Sequence, residues 1–199
     1  MILNHIILAT LWIAYCVLHS VLASESIKKK IRSRMKNYKR YRLLYTLFAF
    51  VFLALLIYYQ IRISTIELFP SRNLIFISGI LISFSGLILM LICIRKYFMN
   101  LSGLRSLFIE NFSNELQITG IHKYVRHPLY LGTFIFIWGL FLLLPYFSLL
   151  IANTIITVYT LIGIELEEQK LVMEFGEEYK RYQVSVPKLI PSFKGKQEL

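Results

Sequence analysis

The stretch "LYLGTFIFIWGLFLLLPYFSLLIANTIITVYTLIGI", Leu129 to Ile164, decides the fold of this 199-residue chain. It is apolar throughout and too long for one membrane crossing, which takes roughly 20 residues of helix. Pro145, within "LLPYFS" (Leu143 to Ser148), divides it, because proline has no amide proton to give a helix interior. The pattern predicts a tight helical hairpin. Its arms hold only about 16 residues each, short of the ~30 Å hydrocarbon core, so local thinning or anchored ends are required.

Three further apolar runs precede the hairpin, at about Ile2–Ala23, Leu43–Ile61 and Leu74–Ile94. With 57% hydrophobic residues and a mean hydropathy of +0.62, the composition is that of an integral membrane protein. The net charge of +11 does not point to nucleic acid, because the cations sit in short segments flanking the apolar runs. Glu25–Arg42 holds nine Lys and Arg, Arg95–His127 holds five and Glu165–Leu199 holds six, so 20 of 22 cations fall on one face of a five-span protein. The positive-inside rule makes that face cytoplasmic and places the N-terminus outside. The first run lacks a basic start and a small-residue cleavage site and is expected to be a retained span. Cys16 and Cys93 lie inside apolar runs without CxxC spacing, which reads as buried thiols rather than a metal site or disulfide. The fold class expected is all-α: one integral membrane bundle over residues 1–199, with five transmembrane helices, a C-terminal hairpin and an amphipathic cytoplasmic helix.

Two polar clusters flank the hairpin. The first is "TGIHKYVRHPLYLG", Thr119 to Gly132. Pro128 suits the first turn of a helix, whose N-terminus offers free amides and a positive dipole end to an anion. Arg126 adds a planar fork matched to a carboxylate, His127 and Tyr130 add ring faces and polar atoms, and Gly132 admits a ligand or a neighbouring helix. Interfacial anchoring by Arg, Lys and Tyr explains the same residues without chemistry. The second cluster is "GIELEEQKLVMEFGEEYKRY", Gly163 to Tyr182. Glu165 and Glu168 share a helix face, with Glu167 about a third of a turn away. Carboxylates at the end of a span are unfavourable unless paired, hydrated or functional. Leu171, Phe175, Tyr179 and Tyr182 follow helical spacing, and packing explains that stripe better than chemistry. Across the hairpin, Arg126 and Glu167 are expected to offer a cation and an anion to a zwitterionic ligand.

These clusters carry a resemblance. "GIHKYVRHPLYLG" is similar to the G-x-Y-x-x-x-R-H-P-x-Y-x-G signature of isoprenylcysteine carboxyl methyltransferases and their prokaryotic relatives. "EEQKLVMEFGEEYKRYQVSVPKLIP" resembles their E-E…F-G-x-x-Y-x-x-Y…P ending, and phospholipid methyltransferases share the paired glutamates. The likeness covers roughly Asn114 to Pro191. "CVLHSVLAS" and "YKRYRLLY" in the first half resemble bacterial relatives that include methanethiol S-methyltransferases and NnrU-type membrane proteins. The resemblance implies S-adenosylmethionine as cofactor, bound at the cytoplasmic face by the half from residue 98 onward, with residues 1–97 forming a three-span half. It implies cofactor-binding roles for His127, Tyr130, Glu167 and Glu168, backbone roles for Leu116 and Gln117, and places for Gly120 and His122 in the signature. Asn114 and His122 stand where the family often has His and Tyr, and Gly163 where the isoprenylcysteine enzymes carry an arginine.

On this reading Arg126 and Glu167 are the catalytic pair, Arg126 fixing a carboxylate and Glu167 holding the cofactor's amino or hydroxyl groups. The acceptor is a carboxylate or thiol of a small or lipophilic molecule, with the lipid bilayer as surroundings. His19 has a possible substrate role, against a simpler helix-packing hydrogen bond through His19 and Ser20. Two alternatives stay open: an NADPH-dependent reductase resembling the sterol reductases, and a non-enzymatic protein whose cationic edge binds anionic lipid.

Overall fold

A bilayer offers no water to backbone amides and carbonyls, so apolar runs close their hydrogen bonds internally as helices. The computed structural model describes residues 1–24, 27, 38–70, 72–101 and 116–191. Its helices are α1 (Ile2–Ala23), α2 (Tyr38–Arg62), α3 (Asn73–Leu101), α4 (Pro128–Leu143), α5 (Phe147–Phe175) and α6 (Glu177–Ser185), with a 3-10 turn at Gly120–Lys123. Among the described residues the only β feature is one isolated bridge, Glu67 to Tyr146. The basic stretch Lys28–Asn37 and Asn114 lie outside the described residues.

Among the described residues four helices, α1, α2, α3 and α5, are long and apolar enough to cross a membrane, which fits a multi-pass membrane protein. The break in the apolar run falls at the predicted place, with Pro145 between the end of α4 and the start of α5. α4 has 16 residues, a rise of only ~24 Å. α5 departs from the expected short arm, because it runs unbroken through Glu165, Glu167 and Glu168 to Phe175. The glutamates therefore sit within a helix rather than at a C-terminus, where the dipole would oppose them.

The chain forms two compact units, one of residues 1–70 with 144–159, the other of 71–143 with the chain from Thr160 on. The first has a core of Leu8, Trp12, Leu56, Ile63 and Ala152. Its polar groups are paired: Trp12 Nε1 donates to Gln60 Oε1 at 2.8 Å, and Thr65 Oγ1 accepts from the Ser148 amide at 3.0 Å. The amide of Leu68 donates to Pro145 O at 2.8 Å, so the link leading into α5 is tied down by backbone.

In the second unit α3 and α4 meet backbone to backbone. Gly79 and Gly86 on α3, and Gly132 and Gly139 on α4, are each seven residues apart and so share a face. A Cβ at Gly139 would lie 2.5 Å from the Ser83 amide nitrogen, and one at Gly79 would lie 2.7 Å from that of Leu143. Gly132 thus admits the neighbouring helix, touching Gly86 and Met90. Small residues are how membrane helices gain close packing where apolar attraction is no longer a driving force.

Gly176 ends α5 with φ +57 and ψ −127, a conformation closed to L side chains. After it α6 brings Tyr179, Tyr182 and Val186 against Leu171, Val172 and Phe175, joined by Leu116 and Ile118. The aromatic stripe is a packed core. Nothing lies within 4 Å of a Cβ built on Gly176, so its constraint is purely one of backbone. Gly176→Ala is expected to destabilise the fold by about 1–3 kcal/mol, measurable as a lowered melting temperature in micelles.

Candidate functional site

The Arg126 segment is held from both sides by backbone. Gly120 (φ +67) opens the 3-10 turn, and Val125, buried, donates its amide to Ile121 O at 3.3 Å. His122 Nδ1 donates to Arg126 O at 3.0 Å, while its own carbonyl accepts the Tyr182 hydroxyl at 2.6 Å. The amide of Arg126 donates to Pro187 O at 2.9 Å, and that of His127 to Lys188 O at 3.2 Å. These bonds stitch the signature to a tail some 60 residues away. His127 O then accepts from Leu131 N at 3.0 Å, starting α4 with Pro128 in the first turn.

Glu168 is the hub of the side chains. It is 5% exposed, and a carboxylate buried to that degree must be compensated. Its Oε1 accepts from Arg126 Nε at 2.7 Å, lies 3.1 Å from His127 Nε2 and accepts from the Tyr179 hydroxyl at 3.3 Å. Its Oε2 accepts from Gln183 Nε2 at 3.1 Å, with Lys188 Nζ at 3.5 Å. Arg126 is equally committed: its side chain is 8% exposed, and Nη1 donates to the carbonyls of Gln183, at 2.8 Å, and Val186. Burial, reinforced by the Glu168 carboxylate, pushes the Tyr179 phenol above its ordinary pKa and keeps it a donor. Lys188 also pairs with Glu165, and this bond holds its ammonium pKa above the ordinary value.

The structure thus brings Arg126, His127 and Glu168 together, with Tyr130 stacked on His127 at a centroid distance of 5.7 Å and 28° between planes. Glu168, rather than Glu167, is the partner of Arg126. Successive helical residues point about 100° apart, so only one glutamate of the pair can face the guanidinium. Glu167 stands at the rim, its side chain 46% exposed and its Oε2 3.9 Å from His127 Nδ1. Leu116 packs against the aromatic core, Gln117 is exposed, and His122 braces the turn. Open space surrounds Gly163. Gln183 and Lys188 carried no signal in sequence, since only the folding back of the tail brings them to Glu168. In the other unit, His19 Nδ1 and Ser20 Oγ lie 3.2 and 2.9 Å from the Tyr159 hydroxyl, a bond between α1 and α5. Cys16 and Cys93 are both buried, and no metal-binding group occurs among the described residues.

Fold and site together define a class: an all-helical, multi-pass membrane protein with a buried ionic hub at the start of one apolar helix and the far end of the next. The profile of the NnrU protein family matches residues 7–187, and the chain belongs to that family. The methanethiol S-methyltransferase of Crocosphaera subtropica is 30% identical over 189 residues, 89% of this chain and 71% of that enzyme. Methanethiol S-methyltransferase 1 of Bradyrhizobium diazoefficiens is 41% identical over 71 residues, 36% of this chain and 24% of the relative. The protein-S-isoprenylcysteine O-methyltransferase of Schizosaccharomyces pombe is 39% identical over 83 residues, 41% of this chain and 35% of the relative. No solved structure matches the chain.

Proposed function

We propose that this protein is a membrane-embedded, S-adenosylmethionine-dependent methyltransferase acting on a small or lipophilic thiol or carboxylate. Its similarity to methanethiol S-methyltransferases, one of them along most of the chain, favours a thiol acceptor. The observation that carries the reading is the charge of the hub. Among the described residues Glu165, Glu167 and Glu168 gather around two full cations, Arg126 and Lys188, leaving an excess of negative charge. S-adenosylmethionine has a sulfonium, an ammonium and one carboxylate, so its net positive charge complements this hub. The phosphates of NADPH would be repelled.

When bound, the cofactor supplies a methyl group made electrophilic by the sulfonium. Glu167, at the rim, is the acceptor for the cofactor's ammonium or hydroxyl groups in this reading. His127 and Tyr130 present ring faces and polar atoms, Leu116 and Gln117 contribute backbone groups, and Gly120 and His122 shape the turn. Arg126 is a positioning residue that acts by holding Glu168 and the tail. A thiol acceptor first gives up its proton, to solvent at the exposed rim; the thiolate then carries its own lone pair, so orientation is the main contribution and can lower the barrier by about 7–11 kcal/mol.

The same reading takes α4 as a fifth crossing in a locally thinned bilayer, with the N-terminus outside and the site facing the cytoplasm. It has α6 lying along that surface, and one catalytic domain over the chain. Incubating the purified protein with methyl-labelled cofactor and methanethiol should give labelled dimethyl sulfide. Failure to label methanethiol, a prenylated cysteine or a phospholipid amine, alongside binding of NADPH, would contradict the proposal.

A further inference from the structure

We infer that Lys188 is the residue that meets the carboxylate of the bound cofactor. This rests on the methyltransferase reading above and assigns a contact that sequence alone gave to Arg126. The guanidinium of Arg126 is buried against Glu168 and two backbone carbonyls. Turning it toward a ligand would strand a buried carboxylate and two carbonyl oxygens at once. Lys188 is differently placed. Its carbonyl is anchored by the His127 amide, so the root of the side chain sits beside the first turn of α4. Its side chain is a third exposed, and its ammonium pairs with Glu165, a side chain 61% exposed. Glu165 rehydrates readily when released, because exposed ion pairs contribute little. Lys188 also stays within 3.5 Å of Glu168 Oε2, so its charge is held at the hub while the flexible stem leaves it free to pivot. A ligand carboxylate taking the place of Glu165 keeps the ammonium paired throughout.

The test is a binding titration of the full chain in nanodiscs with S-adenosylmethionine and with its decarboxylated analogue. Lys188→Ala should weaken binding of the intact cofactor about 10- to 100-fold, as expected for a charge-assisted bond, and leave the decarboxylated analogue within about twofold. Lys188→Arg should restore most of the affinity, and Glu165→Gln, which removes the competing partner, should tighten the intact cofactor alone. An equal loss for both ligands in Lys188→Ala, or no loss for either, overturns the assignment while the methyltransferase reading stands. Failure of the wild-type chain to bind either ligand overturns both.

Discussion

Glu168→Ala is expected to destabilise the protein by about 3–5 kcal/mol, the usual result of leaving one partner of a buried ion pair without its counter-charge. Arg126 would keep its charge at 8% exposure, and His127, Tyr179 and Gln183 would each lose an acceptor. The tail should loosen as well, since Arg126 holds the carbonyls of Gln183 and Val186 only while Glu168 fixes its other edge. Thermal unfolding in micelles, read beside cofactor binding, checks this: both should fall steeply. The adjacent Glu167→Ala should change stability by no more than about 0.5 kcal/mol, because that side chain is at the surface. Equal melting temperatures for the two variants would remove Glu168 from the centre of the site.

Gly86→Val has the second largest expected effect, on the fold rather than on the chemistry. A Cβ at residue 86 would run into the backbone of Phe136 and the carbonyl of Gly132, atoms that cannot rotate away. Overpacking of this kind costs about 1–3 kcal/mol, and the rigidity of the obstacle puts this case at the upper end. Because α4 begins at Pro128, directly after Arg126 and His127, spreading α3 from α4 should also displace the hub. Gly163→Ala is the control: it meets nothing within 4 Å and should leave the melting temperature unchanged or raised. Retained stability in Gly86→Val would mean that the two helices do not pack through their glycines.

The apolar runs and the Pro145 break were legible because each is a local property, of hydropathy in one case and of a missing amide in the other. The end of α5 was not. Charged residues stop a membrane span, but they do not stop a helix, and Glu165 through Glu174 continue it until Gly176. At the site, Arg126, His127 and the glutamate pair stood out as polar groups beside apolar runs. Which glutamate turns inward depends on the rotation of α5 against Arg126 and His127, which spacing does not reveal. Gln183 and Lys188 were invisible for a related reason. Their place comes from tail backbone pairing with residues 126 and 127, a long-range contact with no local pattern.

The central claim is that the signature and the glutamate-bearing helix build one acid-rich hub suited to a positively charged nucleoside. Equilibrium binding of S-adenosylmethionine and of NADPH to the purified chain tests it most directly. Saturable binding of the first, abolished in Glu168→Ala and absent for the second, is the predicted result. Binding of NADPH alone, or S-adenosylmethionine binding that survives Glu168→Ala undiminished, would contradict it.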